Sequence, residues 1–232
     1  MNMNNIVAIF KKQIRDTLKN KTIFIQFIMF PILTLIMCNT VKINEMPRNF
    51  FVNLFATMYI GMAPLTSMAA IISEEKEKNT LRVLMMSNVK PYEYLLGIGS
   101  YTWFACMIGA AIICIPGSYS PRERLVFLSI MATGILSSLL AGAAIGTFSK
   151  TQMMATSVTI PVMMVFSFLP MMSLFNDTIG KIAKITYTEQ ISQMLNHINS
   201  LPPRYSSIAI MAANILLFAA LFTATYRKCG LE

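Results

Sequence analysis

Long apolar runs broken by short charged segments dominate this chain, and their lengths predict helices rather than strands. Six runs are long enough to cross the apolar core of a bilayer, which takes about 20 residues per helix. They cover residues 22–41, 50–72, 97–116, 125–148, 153–175 and 206–226. Ahead of the first, Ile6, Phe10, Ile14 and Leu18 recur every four residues while Lys11, Lys12, Arg15 and Lys19 occupy other faces. That pattern predicts a helix over 1–21 lying in the water–lipid interface. In the connection 176–205, Ile179, Ile182 and Ile185 repeat at three, and Ile191, Met194, Leu195 and Ile198 at three, four and seven. Two short amphipathic helices resting on the mouth of the bundle are expected there, ended by Pro202 and Pro203.

The segment 73–96 interrupts the pattern with charge. Ser73 before Glu74 and Glu75 predicts a helix start, with a capping hydroxyl and acids facing the positive end of the helix dipole. Asn79 and Thr80 make a second break, after which Leu81, Leu84 and Met85 share one face with Arg82 and Ser87 off it. Lys90-Pro91 opens the next helix with proline in its first turn. An apolar stripe between two breaks, ringed by charge, is the pattern of a docking element of the helix-in-groove kind rather than of a solvated linker.

Composition agrees with the pattern. The 232 residues are 55% hydrophobic and 12% charged, with a mean hydropathy of +0.59, far from the usage of soluble domains. Six spans leave connections too short for a soluble domain of about 50 residues or more. The expected fold class is therefore an all-α integral membrane protein, one transmembrane domain over 1–232, with any large catalytic domain on another chain. Of the 19 Lys and Arg residues, 12 fall on the side of the N-terminus and 7 on the other, which favours both termini in the cytoplasm. A long basic segment precedes the first span and no small-residue cleavage site follows it, so an uncleaved anchor is expected rather than a signal peptide.

Candidate chemistry is sparse. As drawn, none of the six spans contains Asp, Glu, Lys, Arg or His, whereas ion-coupled carriers use intramembrane ionisable groups as relays or ligands. Sodium held by carbonyls and hydroxyls alone stays open. General acid–base and nucleophilic catalysis need positioned carboxylates or histidine, and every carboxylate lies in a connection or terminus, so no catalytic residue is assigned. Cys38, Cys106, Cys114 and Cys229 have no metal spacing, and His197 stands alone, so no metal site is assigned. Asn176-Asp177-Thr178 fits a glycosylation sequon, a short pattern with a high false-positive rate. The stretch 146–151, GTFSKT, lacks the glycine before lysine that a phosphate loop needs. In the fourth span Gly134, Ser138, Gly142 and Gly146 follow at intervals of four and leave one face nearly free of side chains. Packing within the subunit and packing between subunits both fit that stripe.

The run 72–97, ISEEKEKNTLRVLMMSNVKPYEYLLG, resembles the coupling segment between the second and third spans of type-two ABC exporter permeases. That family has an acidic-basic cluster, then Gly-Thr-Leu-Glu, a hydrophobic pair, a small-residue turn and a Leu-Leu-Gly-Lys helix. The basic N-terminal helix resembles the family's elbow helix, and 169–195 resembles its proline-initiated extracellular re-entrant stretch. Three positions depart from the pattern. Asn79 stands for the usual Gly, a mild change because Asn tolerates the left-handed conformation. Arg82 stands for the usual Glu, which implies an acid on whatever faces it, and Ile98 stands where Lys is common.

The resemblance implies a permease that pairs with itself or a related subunit into a twelve-helix dimer. It also implies two cytosolic ATPase subunits, which bind ATP and Mg, this chain itself carrying no cofactor. The coupling residues it implies are Glu74, Glu75, Glu77, Thr80, Leu81, Arg82, Leu84 and Met85, with Leu81, Leu84 and Met85 inserted into an ATPase cleft. Spans two and five would line the pathway through Asn53, Thr57, Thr156, Thr159, Met163 and Ser167, with Pro161 and Pro170 as kinks for gating. The fifth span also carries Met153, Met154, Met164, Met171 and Met172, and unbranched Met suits surfaces that repack around varied apolar ligands as well as ordinary cores. With no charged pathway, the expected cargo is amphipathic or hydrophobic: an antimicrobial or cytolytic peptide, a drug or a lipid, exported from a bacterial cell. Nucleic acid is not an expected partner. A stand-alone channel, or a membrane scaffold or sensor that transports nothing, are the competing classes.

Overall fold

The computed structural model describes residues 3–41, 47, 49–87, 89–198 and 205–229, and every secondary-structure element among them is a helix. In chain order these are α1 (Met3–Lys19), α2 (Lys21–Thr40), α3 (Phe50–Glu77), α4 (Thr80–Met86), α5 (Pro91–Cys114), α6 (Pro121–Phe148), α7 (Gln152–Ser173), α8 (Asp177–Ala183), α9 (Tyr187–Asn196) and α10 (Tyr205–Cys229). Six of them, α2, α3, α5, α6, α7 and α10, are long and apolar enough to cross a membrane. Pro202 and Pro203 lie outside the described residues.

The bundle is built around α3. Its 28 residues span about 42 Å at 1.5 Å per residue, more than the roughly 30 Å apolar core of a bilayer, so at least one end reaches into the polar boundary. Helices α2, α5, α6, α7 and α9 all pack on it, α10 packs chiefly on α6, and α1 lies across α5. Ala56, Tyr59, Ile60, Ala63, Leu65 and Ile72 of α3 are almost completely buried. One end of the bundle carries α4 and α1, and the other carries α8 and α9.

Several elements follow the sequence closely. Lys90 and Ser120 precede helices whose first residue is proline, and Glu123 and Ser120 exchange reciprocal bonds, the Ser120 N–H donating to Glu123 Oε2 at 2.7 Å. Asn79 adopts φ 56°, the left-handed conformation expected where glycine is usual. Asn176, within the sequon, caps α8 by accepting from the Thr178 backbone N–H at 2.9 Å, a use that accounts for the Asn itself.

Other elements differ. α3 does not stop at Ile72: Ser73 is buried inside it, donating to the Ala70 carbonyl at 3.1 Å, so Glu74 and Glu75 are its last turns and not the first turn of a new helix. Nor does α9 rest on the mouth. It inserts among α3, α6, α7 and α10, burying Tyr187, Ile191 and Leu195. The Tyr187 hydroxyl lies 2.8 Å from Ser138 Oγ, which donates onward to the Ile60 carbonyl at 2.6 Å. Its ring packs against Phe166 of α7 and Phe218 of α10 with centroids 5.0 and 5.8 Å away. Only α8 stays peripheral, with Ile182 and Ile185 exposed.

The small-residue stripe of α6 faces α3 within the same chain. A Cβ on Gly142 would stand 2.4 Å from the Leu65 carbonyl oxygen, one on Gly146 2.9 Å from Ile72 Cβ, and one on Gly134 2.4 Å from Ile191 Cδ1. The same device recurs against α7, where a Cβ on Gly61 would meet the backbone of Phe166 and Ser167 at 2.8 Å. Gly142→Ala therefore forces two backbones apart and is expected to destabilise by about 1–3 kcal/mol. Gly99→Ala, where a Cβ meets nothing within 4 Å, is expected to be neutral or stabilising. Thermal unfolding of the detergent-solubilised variants, followed by circular dichroism, separates the two.

Candidate functional site: the α4 end and the α3–α7 clefts

The last turn of α3 carries three acids where the helix dipole disfavours them, at the end with unsatisfied carbonyls. Each is offset by a partner. Glu75 is buried, and its Oε1 accepts from Lys12 Nζ at 2.5 Å and Gln13 Nε2 at 2.6 Å, both on α1. Glu74 accepts from Asn20 Nδ2, between α1 and α2, at 3.1 Å and from Lys78 Nζ at 2.5 Å. That bond holds the exposed Lys78 ammonium above its ordinary pKa. Glu77 accepts the Gln152 N–H at the start of α7 at 2.7 Å. Between them, Lys76 Nζ donates to the Thr147 carbonyl near the end of α6 at 2.5 Å. One turn of one helix thus holds α1, α6 and α7 at once.

Helix α4 hangs from that turn. Thr80 Oγ1 donates to the Glu75 carbonyl at 3.1 Å and so satisfies part of the open end of α3. Leu81, expected to insert into a partner, is buried in the core of its own chain, and Leu84, partly buried, packs on that core. The Met85 side chain lies outside the described residues. What α4 presents outward is Arg82, Val83 and Met86, the latter two 64% and 80% exposed. The sequence pattern missed Val83 and Met86 because a seven-residue helix shows too few turns to say which apolar face meets its own bundle. Glu74, Glu75, Glu77 and Thr80, expected as contacts to a partner, are engaged within the chain.

Most of the predicted pathway residues gather where α3 meets α7. A cleft of about 240 Å³ at the α9 end is lined by Thr57, Met58, Ser167, Pro170 and Met171, together with Asn196 and His197. A second, of about 230 Å³ and nearer the α4 end, is lined by Thr156, Thr159, Ile160 and Met163 of α7, Met62 and Thr66 of α3, and Gln26 of α2. Thr159 is buried and its hydroxyl finds no partner. Gln26 and Thr66, 3.1 Å apart between Oε1 and Oγ1, escaped the sequence reading, although a glutamine inside an apolar span is itself a signal. The methionines divide: Met163 and Met171 line the clefts, while Met153, Met164 and Met172 point outward.

Asn53 is a correction. It lines neither cleft: its Nδ2 donates to Asn196 Oδ1 at 2.9 Å, and its Oδ1 accepts from the Tyr119 hydroxyl at 2.6 Å. It fastens α9 and the α5–α6 connection to α3.

Six long apolar helices, five of them assembled about the central α3, define a multi-pass helical membrane protein. Across residues 2–226 the chain matches the profile of the ABC-2 family transporter proteins, and it belongs to that family. The family supplies the membrane-spanning permease component of ABC transporters, a component that is not itself catalytic. No curated protein matched the chain significantly.

Removing the Glu75 carboxylate leaves the buried Gln13 amide without its acceptor and Lys12 with only the looser Asp16 pair at 3.8 Å. Glu75→Ala is expected to cost about 2 kcal/mol. Lys78→Met breaks only an exposed pair and should leave the unfolding midpoint where it was. Equal midpoints for the two variants would contradict the role given to Glu75.

Proposed function

We propose that this chain is the permease of an ATP-driven exporter, placed in a bacterial plasma membrane with both termini and the α4 end in the cytoplasm. Two copies, or one copy with a related subunit, form the transmembrane unit, and two separate ATPase subunits that bind ATP and Mg dock on it from the cytoplasm. The observation that carries this reading is the build of the α4 end. A short helix with an exposed Arg82, Val83 and Met86 face is mounted, through Leu81 and Thr80, on α3, which together with α7 walls both clefts.

In this mechanism closure of the ATPases presses on the exposed face of α4. Because Leu81 is locked in the core and the α3 terminus is tied to α1, α6 and α7, the push moves α3 against its neighbours instead of bending a loop. Movement of α3 on α7 changes the two clefts, so ATPase contacts and cleft shape share one two-state element, as coupling requires. Arg82 calls for an acid on the ATPase. Among the described residues the clefts are lined mostly by apolar side chains with a few hydroxyls and amides and the His197 imidazole, and by no Asp, Glu, Lys or Arg, which supports an amphipathic or hydrophobic cargo such as a peptide, drug or lipid.

The test is recovery of the tagged protein from its native membrane in mild detergent, with mass spectrometry of what accompanies it. A soluble ATPase is expected with the unaltered protein and at least about tenfold less of it with Val83→Asp/Met86→Asp, the scale of losing buried apolar contacts at the centre of an interface. The double variant should fold normally, because both side chains are exposed. Undiminished ATPase recovery with that variant would remove α4 as the docking element.

A further inference from the structure

A basin of about 750 Å³ opens at the α4 end between α1, the start of α2 and the end of α3, within the range of small-molecule sites. Its wall carries Lys12, Lys19, Lys21 and Lys78 against Asp16, Glu74 and Glu75, seven groups whose charges sum to +1. The pairing among them is uneven. Lys12 is bound to Glu75 and lies 3.8 Å from Asp16, and Lys78 is bound to Glu74. Lys19 and Lys21 are exposed and make no ion pair among the described residues. They flank Asn20, whose amide is fixed on Glu74, so the two uncommitted ammonium groups are carried on a segment tied to the basin wall.

The depth of the basin is set by its surroundings. Helix α1 leaves Met3, Val7, Ile14 and Leu18 exposed along one stripe, with Lys11 within it and Arg15 and Lys19 beside it, an arrangement in which apolar side chains enter the boundary of water and lipid while long basic ones reach back to water. The apolar stretch of α2 begins at Ile23, two residues beyond Lys21. The basin therefore lies at the level of the headgroups of one leaflet, where the commonest anion is a phosphodiester.

We propose that this basin takes the phosphate of an anionic phospholipid, with Lys19 and Lys21 donating to its oxygens. The net charge of the wall is the complement of one phosphodiester, and the acids that would otherwise repel it are held by Lys12 and Lys78. A lipid seated there touches α1 and the last turn of α3 together, so it braces the turn from which α4 hangs. The site stands independently of the export reading, because binding is measured without an ATPase or a cargo.

The experiment is native mass spectrometry of the full-length protein in neutral detergent, offered phosphatidylglycerol or phosphatidylcholine. Retention of one phosphatidylglycerol per chain in preference to phosphatidylcholine is expected, falling about thirtyfold in Lys19→Gln/Lys21→Gln, the scale of two lost lysine contacts. Lys11→Gln/Arg15→Gln removes the same charge from α1 outside the basin and is expected to retain the lipid. Equal loss in both pairs means diffuse attraction to the whole basic helix and overturns the site, as does undiminished retention in Lys19→Gln/Lys21→Gln. Displacement of the lipid by millimolar inorganic phosphate identifies free phosphate as the ligand and overturns the lipid assignment.

Discussion

A buried carboxylate must be paired, and Glu75 is paired by side chains that lie more than 60 residues before it in the chain. This bond from α1 to the end of α3 fixes the interfacial helix against the bundle. With Glu74, Lys76 and Glu77 holding the α1–α2 junction, α6 and α7, it makes the α4 end a single mechanical unit. The acids sit where the helix dipole opposes them, so they stay in place only through those partners.

The middle of the molecule depends on a different constraint. Helix α3 is the hub of the bundle, and it meets α6 and α7 at backbone distance: Gly142 against Leu65, Gly61 against Phe166 and Ser167. In lipid no hydrophobic force drives helices together, so close approach of small residues and buried hydrogen bonds such as Ser138 to the Ile60 carbonyl carry the association. The clefts lie along the α3–α7 seam, to either side of the Gly61 contact, at positions lined by Thr57 and Ser167 on one side and Thr66 and Thr159 on the other. Helix α9, pinned by Tyr187 and by Asn53 to Asn196, holds the far end of the same seam.

The spans, the amphipathic first helix, the proline-led starts of α5 and α6 and the left-handed Asn79 were legible because each rests on local physics: apolar length, amphipathic period, a fixed φ, a tolerated positive φ. The charged segment was legible as unusual but not as to what its charges do. Nothing local distinguishes a Ser-Glu-Glu that begins a helix from one that ends it, and Leu81 and Val83 are equally apolar until the bundle is assembled. Thr57, Thr156, Thr159, Met163 and Ser167 line the clefts, whereas Asn53, a polar residue of the same kind one turn from Thr57, turns to Tyr119 and α9.

The sequence by itself determined that this is a helical membrane protein with six apolar helices long enough to cross a bilayer, an amphipathic entry helix and an interrupted charged connection, because bilayer thickness and helix periodicity act on contiguous residues. Tertiary structure alone decided which partners the Glu74, Glu75 and Glu77 carboxylates take, which face of α4 is left outward, and that α9 enters the bundle. Those outcomes depend on which surfaces meet across tens of residues, where burial and hydrogen-bond satisfaction choose among faces that the local pattern leaves equivalent.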